Sequence, residues 1–190
     1  MALRIALLAA ASALLASAPA FAQEACKTTP IGKPLSVAEM YRTAAERAKA
    51  WKPDAKLTSM GTTTMGQLKP DGTAAGWHLV FYSAAADSWV SIDAGSGFLT
   101  CAAYPGKAGQ LNKLNPDFFL DGKALYAIAK QHGADLIAQG YDVVLGTASA
   151  PPPSDRHATW RINFSKEGAK DARLHIVIDA NTGKVEKVLN

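Results

Sequence analysis

The chain lacks the residue spacings through which most enzymes announce their chemistry. It has 2 cysteines and 4 histidines in 190 residues. None falls into an HxH, HExxH or CxxC pattern, so the sequence encodes no local zinc site and no dithiol redox centre. There is no G-x-x-x-x-G-K-[ST] loop to cradle a phosphate and no G-x-G-x-x-G turn after a strand. Ser96 stands in Ala94-Gly95-Ser96-Gly97-Phe98, which is not the G-x-S-x-G frame of a nucleophile elbow. Basic residues do not run together or alternate with aromatics, which argues against a nucleic-acid groove. The net charge of +4 becomes +3 without Arg4, a value that fits ordinary solubility better than a polyanion site. Neither a metal nor a cofactor is expected, and no nucleic acid is expected as a partner.

Long apolar runs are also missing, with one exception at the amino terminus. There Arg4 precedes the run Ile5 to Leu15, and Ala20-Phe21-Ala22 supplies small residues at both cleavage positions. Residues 1–22 read as a secretory signal peptide cut after Ala22, with a periplasmic or secreted destination. A membrane span needs about 20 apolar residues, and this run meets Ser17, Pro19 and then Gln23-Glu24 too soon. No stable membrane insertion is expected after cleavage. Cys26 follows Gln23-Glu24-Ala25, which is not a lipobox. Export would carry Cys26 and Cys101 to a compartment where disulfides persist, and a bridge between them is the simplest reading. Two free thiols and intermolecular pairing are the alternatives.

What the chain does have is a repeat. Trp77-His78-Leu79-Val80-Phe81 precedes Ile92-Asp93-Ala94-Gly95-Ser96-Gly97, and Trp160-Arg161-Ile162-Asn163-Phe164 precedes Ile178-Asp179-Ala180-Asn181-Thr182-Gly183. Two copies of W-x-[LI]-x-F and of I-D-A-x-[ST]-G, in one order, predict a duplicated strand-rich module. Ser36-Val37-Ala38-Glu39 is a capping box, and Val37, Tyr41, Ala44, Ala48 and Trp51 follow at helical spacing until Pro53. Strands are predicted over 57–65, 76–83, 88–93 and 98–104, with turns at Lys69-Pro70-Asp71-Gly72 and Gly95-Ser96-Gly97. The second copy predicts a helix after Asp121-Gly122, with Leu125, Ile128 and Ala129 on one face and Gly133 as its C-cap. Strands over 141–147, 159–165, 173–179 and 184–189 follow. Pro151-Pro152-Pro153 is confined to an open loop.

The expected architecture is therefore α+β, a tandem duplication of a helix plus antiparallel-sheet module. Its parts are an N-terminal segment at 23–34, a first module at 35–104, a connector at 105–116 and a second module at 117–190.

The run Ile176-Val177-Ile178-Asp179-Ala180-Asn181-Thr182-Gly183-Lys184-Val185 resembles the end of a PepSY domain, a strand entering Asp-Ala-x-Thr-Gly and leaving through an apolar residue. Residues 35–104 resemble the family more loosely, with Gly95-Ser96-Gly97 in place of the usual turn. The resemblance implies a helix on a curved, cystatin-like antiparallel sheet, an exported setting and a noncatalytic role, with peptidase inhibition the role usually suspected.

In the repeated turns, Gly97 and Gly183 are expected at positive φ, with Asp93 and Asp179 accepting turn amides. Alternation places Trp77, Leu79 and Phe81 on one face, and Trp160, Ile162 and Phe164 likewise. The opposite face then carries His78, Val80 and Tyr82 beside Trp89, Ser91 and Asp93 in one repeat, and Arg161, Asn163, His175, Val177 and Asp179 in the other. Trp89, Tyr82, His78, Arg161 and His175 are the candidate binding residues. The plainest role for the aromatic patch is contact between the modules, and the sharper one is recognition.

Three functions are carried forward. The first is a noncatalytic interaction or inhibitor module for another exported protein, a peptidase among the candidates. The second is a carrier holding a small ligand or peptide between the modules, where Tyr82, Trp89 and Arg161 would converge. The third is a hydrolase assembled from separated histidines and carboxylates.

Overall fold

The computed structural model describes residues 26–63, 66–107, 119–148, 158–170 and 172–190. The predicted signal peptide, the body of the connector and the triproline loop lie outside the described residues.

Two helices form among the described residues, α1 (Val37–Trp51) and α2 (Gly122–Ala138). Helix α1 begins with the expected capping box. Glu39 N donates to Ser36 Oγ at 3.2 Å, and Ser36 N donates back to Glu39 Oε2 at 2.9 Å. Its buried stripe is Val37, Met40, Ala44, Ala48 and Trp51, so Met40 takes the core position expected of Tyr41. Lys52 is already extended because Pro53 follows.

The capping carboxylate gives the protein an acid sensitivity. The Lys33 ammonium at 2.8 Å, then the amide and hydroxyl of Ser36, hold the Glu39 carboxyl at about 2, down from 4.5. The carboxyls of Asp54 and Asp71 are lowered too. Asp54 accepts from Ala85 N and Ser83 Oγ, and Asp71 from the Thr73 hydroxyl and amide. A carboxylate whose folded pKa is depressed stabilises the fold above its unfolded pKa and loses that contribution as pH falls toward its folded one. Thermal melts should therefore hold level above about pH 5 and fall steadily toward pH 2. A Glu39→Gln variant should melt lower at neutral pH and show a shallower acid slope. An unchanged slope would remove Glu39 from the account.

The strands are β1 (Thr29–Pro30), β2 (Leu35–Ser36), β3 (Lys56–Thr62), β4 (Thr73–Ala74), β5 (Trp77–Ser83), β6 (Ser88–Gly95), β7 (Phe98–Pro105), β8 (Asp142–Ala148), β9 (Thr159–Ser165), β10 (His175–Asp179) and β11 (Val185–Leu189). Nine of them form one antiparallel sheet in the order β1-β7-β6-β5-β3-β8-β9-β10-β11, and β2 pairs with β4.

This corrects the expected fold class. The chain is not a tandem of helix-plus-sheet modules but a sheet-dominated fold with one continuous core. The reason lies at β3 and β8, each of which would be an edge strand in a separate module. Unpaired edges leave a row of backbone donors and acceptors without partners, and here each strand satisfies the other. The join is unusual in its chemistry. Gly61 opposes Gly146, while Met60 N donates to Thr147 Oγ1 at 2.9 Å and Leu145 N donates to Thr62 Oγ1 at 3.0 Å.

Both helices lie on the same face of this sheet. Trp77, Leu79, Phe81, Trp160, Ile162 and Phe164 are all buried there, as alternation predicted. The two indoles are satisfied by backbone carbonyls. Trp77 Nε1 donates to Leu35 O and Ala74 O, and Trp160 Nε1 donates to Phe119 O. Gly133 does not end α2. It sits at a kink inside the helix (φ −125°, ψ 27°), directly over the Phe164 ring, where a Cβ would lie 2.2 Å from Cζ.

The predicted disulfide between Cys26 and Cys101 is present, with the two Cα atoms 4.9 Å apart. It fastens residues 26–31 across the β7 end of the sheet. Arg47 of α1 donates to Lys27 O and to Thr29 Oγ1, and β1 pairs with Leu99 and Phe98.

Candidate functional site

With both helices on one face, the other face of the sheet carries every candidate binding residue. Register decides which of them meet. The hairpin β5–β6 pairs Tyr82 with Trp89, Val80 with Ser91 and His78 with Asp93.

The first cluster is aromatic. The Tyr82 and Trp89 rings lie 4.7 Å apart at 49°, and Tyr104 of β7 stands opposite Trp89. Tyr82 is only 6% exposed, although it is on the uncovered face. Its hydroxyl donates to Asp87 Oδ1 at 2.8 Å, and Gly106 N donates to Asp87 O, which anchors this corner to the β5–β6 turn. Trp89 is half-buried and Tyr104 exposed. The patch is not a contact between modules. It spans β5, β6 and β7, on one side of the β3–β8 join.

The second cluster is a pair, His78 Nδ1 with Asp93 Oδ1 at 2.5 Å. A carboxylate only accepts, so Nδ1 is the donor in this pair. Here the two repeats part company. Asp179 accepts from Asn181 N at 2.7 Å and Thr182 N at 2.9 Å, as expected of the turn aspartate. Asp93 does not take that role. In its hairpin Ser96 and Gly97 both have positive φ (51° and 81°) and make a two-residue turn, so Asp93 stays within the strand and faces His78. In the second repeat Gly183 takes the positive φ, at 72°.

On the far side of the join, His175 Nδ1 lies 2.7 Å from Asn163 Oδ1, while Arg161 opposes Gly146 on one side and Val177 on the other. Arg161 is exposed, and its guanidinium has no hydrogen-bond or ion-pair partner among the described residues.

These positions do not converge as the carrier reading required. Arg161 shares a row with His78, separated by Gly61 and Gly146, whereas Tyr82 and Trp89 sit four residues further along the strands. Nor do the histidines gather around a carboxylate. Four strand spacings, about 19 Å, separate β5 from β10 and therefore His78 from His175. Among the described residues no three His, Cys, Asp or Glu side chains come close enough to hold a metal ion, and His157 lies outside them.

The residues that sequence reading overlooked are the two glycines, Asn163 as a partner of His175, and Tyr104 beside Trp89. The hairpin register was a usable signal. A β5–β6 turn closing near Asp87 makes the residue numbers of each opposed pair sum to a constant, which brings His78 to Asp93.

Comparison with protein-family models, with curated proteins and with solved structures found no match.

Proposed function

We propose that this is an exported, noncatalytic binding protein that presents the uncovered face of its sheet to another exported protein. The observation that carries the reading is the placement of both helices on one side, which among the described residues leaves the opposite side open, with Trp89 and Tyr104 accessible beside a buried Tyr82. Tryptophan, tyrosine and arginine dominate binding hot spots because they combine large apolar area with polar tips. The disulfide fits an oxidising compartment, with the periplasm or the exterior as the destination that residues 1–22 imply. No helix among the described residues is long and apolar enough to cross a membrane. The PepSY resemblance of the β10–β11 hairpin points to a peptidase as the partner.

Affinity capture from the native exported proteome, with purified partner then titrated against wild type and Trp89→Ala, tests this. Removing Trp89 should cost about 1 kcal/mol of stability through the lost aromatic pair, yet weaken partner affinity by more than about tenfold. Equal affinity in the two proteins would overturn the aromatic corner as the recognition surface.

A further inference from the structure

At the join between β3 and β8 the open face carries a short strip without side chains, two residues wide at Gly61 and Gly146 and bordered along the strands by Ser59 and Val144. Reading across the sheet, the row is Asp93, His78, Gly61, Gly146, Arg161, with His78 and Arg161 about 14 Å apart at three strand spacings. Gly61 has a structural reason to be glycine, since a Cβ there would lie 2.7 Å from Leu145 O. Gly146 has none. It has no positive φ, and a Cβ on it would meet nothing within 4 Å. Glycine inside a strand lowers stability and often marks a place where another chain or ligand approaches the backbone. Arg161, its immediate neighbour, does not fold across the vacant space, because none of its atoms comes within 4 Å of that position.

The walls of the strip differ in charge. His78 is matched by Asp93, whereas Arg161 is unmatched, and Lys187 lies beyond it across Val177. A guanidinium presents a rigid fork of donors suited to a carboxylate. The strip is shallow, and a small molecule that buries little of itself gains little affinity. An extended chain lying along the join would instead contact backbone and both walls over several residues.

We infer that the glycine-floored strip between His78 and Arg161 binds an extended acidic peptide segment, with a carboxylate of the peptide held by Arg161. This rests on the binding-protein reading above and names the ligand chemistry of the same face.

The test uses the purified, disulfide-intact protein, 15N-labelled, titrated with the peptide acetyl-Thr-Val-Glu-Val-Thr-amide, its Gln counterpart and sodium acetate. Saturable shifts of the Gly61 and Gly146 amide signals by the Glu peptide, weaker by about tenfold for the Gln peptide and for Arg161→Gln, are expected. Gly146→Val should abolish the shifts with melting temperature preserved. Absence of saturable shifts at these glycines, or equal binding by Arg161→Gln, would overturn the inference. So would equal shifts with acetate alone. A protein partner whose affinity falls with Trp89→Ala but is untouched by Arg161→Gln and Gly146→Val would overturn the strip while leaving the binding function standing.

Discussion

Replacing both Cys26 and Cys101 by serine should lower the unfolding free energy by about 4 kcal/mol, the chain-entropy value for a loop of this length. The cross-link spans 75 residues, and its main effect falls on the unfolded chain, which regains the freedom that the bridge denied it. For a chain of this size that corresponds to a drop of about 10 °C in melting temperature. The native strap has other fastenings, namely two hydrogen bonds from Arg47 and the short pairing of β1 with β7. These are partly exposed and hold only two residues of strand, so they should not replace the bridge. Hydrogen exchange should show residues 27–31 losing protection before the rest of the sheet, because they are the part the bridge fastens directly. A double variant that melts within 2 °C of wild type would show that the entropic account fails here.

Gly61→Ala should cost about 2–3 kcal/mol, in the range of overpacked core sites. The added methyl would lie 2.7 Å from Leu145 O and 3.2 Å from the Gly146 Cα. Both obstacles are backbone, so neither can rotate away as a side chain would. Relief requires β3 and β8 to part, which would also lengthen the bonds from Met60 N to Thr147 Oγ1 and from Leu145 N to Thr62 Oγ1. Gly146→Ala is the matched control. Its methyl enters open space, and replacing a strand glycine should leave stability unchanged or raise it by about 0.5 kcal/mol. Denaturant midpoints of the two variants, compared at equal slopes, measure the difference directly. Equal losses at the two positions would mean that the join is not closed in the way described.

Much of the local structure was legible from residue order. The Ser36–Glu39 capping box and the stop before Pro53 delimit α1 because they act through backbone amides a few residues away. The W-x-[LI]-x-F segments show their buried face because alternation is a property of the strand itself, and the positive φ of Gly97 and Gly183 follows from the turns they occupy. The candidate site was legible in part. His78, Tyr82 and Trp89 were placed on the outward face of one repeat and Arg161 and His175 on that of the other, but that these faces are one, and which residues neighbour across the sheet, was not legible. Asp93 was assigned to a turn by analogy with Asp179, and only the tighter hairpin around Ser96 and Gly97 releases it to His78. Gly133 carried the ordinary mark of a helix end, yet its smallness serves the Phe164 ring beneath α2.

Sequence by itself determined the two helix starts, the longer strands, their inward faces and the cysteine pair, all of which depend on short-range geometry or on composition. Tertiary structure alone decided that β3 and β8 join into one nine-stranded sheet rather than ending two modules. It decided as well that the aromatic corner and Arg161 stand apart. The physical reason is that pairing between distant strands satisfies backbone groups common to every residue. Side chains veto such a pairing only by steric obstruction, and at Gly61, where a Cβ would meet Leu145 O, there is no side chain to obstruct it.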